Sequence, residues 1–227
     1  MAETIRTGAG ASGASTGVTT PLTRVLLACG LVGGPLFLVV VLAQALTREG
    51  FDVTRHPLSL LSLGPGGWIQ IANFLVTGVL FLAFAAGIRR SLRGTRGGTW
   101  GALLVGACGV GLLGGGVFSA DPALGFPPGT PSAASASISW HALLHLVAFI
   151  VGVPSLGAAC VVFARRFAGL GQRGWLAFSV AVAVCIVASI VVTLVGASFG
   201  VMAEYVALLL GWTWVPALAG RLLTRDI

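Results

Sequence analysis

The chain has 227 residues, of which 56% are hydrophobic and 8% charged, with a formal net charge of +7. A mean hydropathy of +1.01 leaves too little polar surface to clothe a water-soluble domain, which excludes that class. All the positive charge is arginine, and the pI of about 11.0 reads as membrane topology and attraction to anionic lipid instead of a nucleic-acid site.

Residues 1–19, MAETIRTGAGASGASTGVT, are rich in Gly, Ala, Ser and Thr and cannot bury enough apolar surface to order themselves, so a disordered cytoplasmic tail is expected there. The apolar segment that follows is longer than the apolar core of a signal peptide and ends without a small-residue cleavage site, which predicts a retained span. Residues 20–227 are expected to form one transmembrane domain. A spanning helix needs about 20 largely apolar residues. Six stretches qualify: Leu22 to Leu46, Trp68 to Ile88, Thr99 to Phe118, Trp140 to Ala164, Trp175 to Gly196 and Phe199 to Ala219. These are continuous runs and not the short alternating segments of a barrel, so the expected fold is all-α, a polytopic bundle of six membrane helices.

Arg6 and Arg24 precede the first span, and Arg89, Arg90, Arg93 and Arg96 fill the second connection. Arg165, Arg166 and Arg173 fill the fourth, and Arg221 and Arg225 end the chain, all on one side. Only Arg48 and Arg55 fall on the other, so the positive-inside rule places both termini in the cytoplasm and the protein in the cell membrane. Trp68, Trp100, Trp140 and Trp175 open spans on both sides, as amphipathic rings do at head-group level. Small residues Gly30 and Gly34 in the first span, and Ala107, Gly111 and Gly115 in the third, allow close helix approach, and the third span is expected near the centre. Cys29, Cys108, Cys160 and Cys185 lie within spans without ligand spacing and read as small apolar fillers.

The first outer connection contains FDVTRHPLSLLS. Proline after His56 suits a first helical position, and Gly64-Pro65-Gly66-Gly67 forces a stop, which predicts an interfacial helix of about two turns. Ser59 and Ser62 would share one face and Leu58 and Leu61 another. Arg55 has Asp52, Asp121 and Glu204 as candidate partners. The proline-rich loop SADPALGFPPGTPSAASAS after the third span is long enough to act as a lid, with Phe126 as its anchor.

Asp121 closes the third span, His141 and His145 open the fourth and Glu204 opens the sixth, so every histidine and most acidic residues lie at the outer end. Gln44, Gln70 and Asn73 add neutral polar groups there. Polar side chains at the ends of several spans mark a site when they converge, because each otherwise carries a desolvation cost. The expected pocket comprises Arg55, His56, Ser59, Ser62, Asp121, His141 and Glu204. His141 and His145, four apart on one helix, have the spacing of a two-histidine metal clamp, with His56 and Asp121 as further candidate ligands for zinc.

The R-H-P-x-S-x-L-S-L-G signature beginning at Arg55, the FSADP ending the third span and the histidine opening the fourth resemble the bacterial membrane family catalogued as domain of unknown function 998. The resemblance covers roughly Leu22 to Leu222. It implies six membrane helices and no assigned activity, and its polar signature falls on Arg55, Ser59, Ser62, Asp121 and His141. The chain is also similar to ceramidase-like membrane hydrolases, whose zinc site combines histidines, an aspartate and a serine, although it has six spans where they have seven. Two functions follow. One is a non-enzymatic membrane protein whose outer pocket binds a lipid head group or a membrane partner, with Arg55 as anion contact. The other is a zinc-dependent hydrolase of a lipid ester or amide, with Asp121 as base and Ser59 orienting the substrate.

Overall fold

The computed structural model describes residues 20–132, 137–196 and 198–224. The tail expected over residues 1–19 lies outside them. Six α-helices follow in order: α1 (Pro21–Thr47), α2 (Gly67–Ser91), α3 (Trp100–Val117), α4 (Trp140–Gly169), α5 (Arg173–Leu194) and α6 (Gly200–Leu223). Each is long and apolar enough to cross a membrane. Their starts carry local causes: the Thr20 side chain accepts from Thr23 N with Pro21 in the first turn, and the Ser139 side chain accepts from Ala142 N. Trp68, Trp100 and Trp140 are exposed at helix starts, where a head-group layer would meet them.

The helices form a closed ring. Each packs chiefly on its neighbours in sequence, and α1 closes against α6. The third span is therefore not central, contrary to the expectation from its small residues. Two close seams flank α3, one with α4 at Gly111 and one with α2 at Gly109, a residue outside the expected stripe. A Cβ on Gly111 would lie 2.5 Å from the Gly152 Cα of α4, and one on Gly78 of α2 would meet the Gly109 carbonyl at 2.9 Å. In lipid, where apolar burial adds little between helices, such backbone approach is a main source of association. Gly34 does the same for ring closure, its Cβ position being 2.3 Å from the Trp212 carbonyl of α6.

The ring is filled by aromatic residues on the α1, α2 and α6 side. Phe37 packs tilted against Trp212 at 5.1 Å and Trp212 against Phe81 at 5.8 Å. Polar residues inside the ring work as interhelical ties. Gln44 Nε2 donates to Gln70 Oε1 at 2.9 Å, Asn73 Nδ2 to the Phe37 carbonyl at 3.2 Å, and Trp214 Nε1 to Ser179 Oγ at 3.0 Å. All four cysteines are free thiols.

The two ends of the ring differ. One end carries the chain's described start and finish and most of the arginines. There Arg90 Nε donates to Thr23 Oγ1 at 3.2 Å, and Arg166 Nη1 to the Arg96 carbonyl at 2.7 Å. The other, here the cap end, carries the α1–α2 and α3–α4 connections. The interfacial helix expected from Pro57 is there as a single 3₁₀ turn, Leu58–Ser62, with Pro57 as its N-cap. Pro65 keeps the turn from continuing as an α-helix. In an α-helix the Leu61 carbonyl would accept from residue 65, which has no N–H. Arg48, at the end of α1, takes that carbonyl instead with Nη1 at 3.1 Å, and its Nη2 takes the Leu63 carbonyl.

Candidate functional site

The cap is built around Phe126, which is fully buried as the anchor of the α3–α4 loop. Phe51 meets it edge-on at 5.3 Å, His56 tilts against it at 5.6 Å, and the Arg48 guanidinium sits over its face at 5.5 Å. His56 joins the two loops through both ring nitrogens. Nδ1 accepts from Asp52 N at 2.9 Å, and Nε2 lies 3.1 Å from the Leu124 carbonyl. Because a carbonyl only accepts, the proton is on Nε2. Tyr205 of α6 donates to the His56 carbonyl at 3.1 Å and fastens the cap to the ring.

Beneath the cap the ring holds a partly open cavity of about 330 Å³, lined by residues of all six helices and of the 3₁₀ turn. Its depth is apolar: Phe37, Cys108, Leu156 and Trp212 form the floor near mid-helix. Its rim is polar, with Ser59 from the turn, His145 from α4, Thr193 from α5 and Glu204 from α6. Along α4 the rim histidine and the floor leucine are separated by about 16 Å at 1.5 Å per residue. The cavity is therefore amphipathic along the membrane normal, and its size is at the lower end for ligand sites, about 300–1,000 Å³.

His145 is held by Nδ1, 2.7 Å from the Phe118 carbonyl, and by the edge of Phe74. With Nδ1 committed as donor, Nε2 of the neutral ring carries a lone pair. Glu204 Oε1 accepts from Thr193 Oγ1 at 3.0 Å. Of the pocket residues expected from the sequence, Ser59 and Glu204 line this cavity. His56, Ser62, Arg55, Asp121 and His141 are not among the lining residues. Ser62 is buried with its hydroxyl on the Ser59 carbonyl at 2.7 Å, and Arg55 reaches the Leu124 carbonyl at 3.4 Å. Asp121 accepts from Ser139 N at 2.8 Å and so pins the start of α4. Hydrogen bonding from Ser139, side chain first and backbone second, holds its carboxyl below the usual range, with a smaller contribution from His141. Asp52 is held low in the same way by Thr54, whose hydroxyl and N–H both meet Oδ1.

His141 lies tilted against Trp140 at 3.8 Å and against Phe118 at 6.0 Å, one turn above His145. The four candidate zinc ligands, His56, Asp121, His141 and His145, have these separate surroundings. Among the described residues no three His, Cys, Asp or Glu side chains converge where a metal ion could sit. Thr193, Tyr205 and Ser189, another lining residue, went unnoticed in the sequence. The signal for two of them was present: Ser189 and Thr193 are four apart in an otherwise apolar span, hence on one face.

Six apolar helices closed into a ring under a polar cap define a multi-pass integral membrane protein. Residues 31–221 match the family described as protein of unknown function (DUF998), and the chain belongs to that family. No curated protein and no solved structure matches it.

Proposed function

We propose that this is a non-enzymatic lipid-binding protein of the cell membrane, taking the apolar chain of a membrane amphiphile into the ring with its polar end at the cap. The observation that carries this reading is the cavity's gradient, from Ser59, His145 and Glu204 at the rim to Leu156 and Trp212 at the floor. An amphiphile entering from the leaflet on the cap side meets a polar rim with its head group and a mainly apolar floor with its chain. By the arginine distribution the cap faces away from the cytoplasm. The head-group contact moves from Arg55, which bonds the Leu124 carbonyl, to the rim residues.

The test is lipid retention. Wild-type protein purified in a mild detergent is expected to carry a chain-bearing lipid in its organic extract. Ala207→Phe, which places a ring in the cavity, should lose it while keeping the wild-type elution volume and helical content. Equal lipid in the two proteins would refute the reading.

A further inference from the structure

We propose that the cavity selects an uncharged, hydroxyl-bearing, single-chain lipid, of the monoacylglycerol type, over one with an anionic phosphate head group. The inference rests on the lipid-binding reading and adds the head-group chemistry. Three polar rim groups carry the argument. His145 Nδ1 is spent on the Phe118 carbonyl, so Nε2 offers an acceptor. Glu204 receives one hydrogen bond from Thr193, and a carboxylate has further acceptor sites. Ser59 contributes a hydroxyl that adapts as donor or acceptor.

Among the described residues no arginine lines the rim to balance these acceptors. Arg48 is turned into the cap on the Leu61 and Leu63 carbonyls, and Arg55 onto Leu124. Neither arginine lines the cavity. A phosphate, which accepts and carries negative charge, would face a carboxylate with only neutral donors to offset it. A glycerol head group donates up to two hydrogen bonds to Nε2 and the carboxylate and introduces no charge. The volume of about 330 Å³ suits one chain better than two.

Native mass spectrometry of the full chain released from micelles at pH 8 separates the outcomes, using three added lipids with one oleoyl chain each: monooleoylglycerol, oleoyl lysophosphatidate and methyl oleate. Wild type should retain monooleoylglycerol at least tenfold more than either of the others. Glu204→Gln, which removes the charge but keeps an acceptor, should narrow the preference over lysophosphatidate at least threefold, and His145→Phe should lower monooleoylglycerol retention at least threefold. Lysophosphatidate held as well as or better than monooleoylglycerol overturns the proposal, as does an unchanged ratio in Glu204→Gln. If methyl oleate is held as well as monooleoylglycerol, and Ala207→Phe abolishes both, head-group selection is wrong and the cavity reading stands. If no added lipid is held better by wild type than by Ala207→Phe, both fall.

Discussion

The His56 ring and the Leu124 carbonyl, 68 positions apart in sequence, meet at 3.1 Å and join the two loops of the cap. The contact is specific because the other ring nitrogen is fixed by Asp52 N, leaving one tautomer that satisfies both loops. His56 thus acts as a structural staple in the wall above the cavity.

Replacing it exposes that role. His56→Ala leaves the Asp52 N–H without its partner, leaves the Leu124 carbonyl with only the longer contact from Arg55, and opens a gap beside Phe126, at a cost of about 1–3 kcal/mol. Thermal unfolding in detergent should show a midpoint lower by several degrees, at roughly 2–4 °C per kcal/mol for a chain of this size. Arg55→Ala removes an exposed contact at 3.4 Å to the same carbonyl and should move the midpoint by less than about 1 °C. Equal shifts in the two variants would count against the staple.

The α3–α4 seam distinguishes glycines that are needed from glycines that are tolerated. Gly111→Ala drives a methyl to 2.5 Å from Gly152 Cα and 2.6 Å from the Ala148 carbonyl, backbone atoms that yield only if the helices separate. Gly115→Ala meets nothing nearer than 3.7 Å, and Gly152→Ala nothing nearer than 3.4 Å. The first variant should lose several degrees of thermal stability, by about 1–3 kcal/mol of overpacking, and the other two should stay close to wild type. A stable Gly111→Ala would show that α3 and α4 can part at this seam without loss.

The spans were legible in the sequence because a membrane helix must satisfy its own backbone and show lipid an apolar face, so its whole length is written as composition. Ring closure was not, since the contact of Gly34 with Trp212 joins the first helix to the last and leaves no periodic trace. Glu204 stood out as an acidic residue beside a long apolar run, and it does line the cavity. The histidine pair was harder to read. Spacing of four places both side chains on one face, but the rise of about 6 Å between them leaves His141 against Trp140 while His145 reaches the cavity. Arg48 was read only as a charge, and its role in finishing the 3₁₀ turn depends on the missing N–H of Pro65.

Asp121 ties stability to pH. Its carboxyl is held below the usual range in the folded protein, chiefly by Ser139, so the folded state favours the ionised form. The stabilisation is complete above the unfolded value of about 3.9 and is lost as pH falls through the lower folded value. Asp121→Asn keeps an acceptor for Ser139 N and removes the charge at the start of α4. Wild type should unfold at a slightly higher temperature than this variant from pH 7 to pH 5, and the difference should vanish as pH is lowered below 4. The effect is small because the group is near solvent. A gap that widens on acidification would reverse the sign of the argument.

Orientation can be read from one exposed residue at each end of the ring. Among the described residues the arginine end holds Arg24, Arg89, Arg90, Arg93, Arg96, Arg165, Arg166, Arg173 and Arg221, whereas the cap end holds only Arg48 and Arg55, both bonded to loop carbonyls. An excess of this kind in short connections retains them in the cytoplasm during insertion. In a background with the native cysteines changed to alanine, Ser132→Cys should react with a membrane-impermeant maleimide added to intact cells. Arg93→Cys, exposed between α2 and α3, should react only after the cells are broken. Both positions avoid the left-handed glycines nearby, so neither label depends on a strained backbone. Labelling of Arg93→Cys in intact cells, with Ser132→Cys protected, would turn the ring over. The cavity's polar rim would then face the cytoplasm, and its ligand would have to come from the inner leaflet.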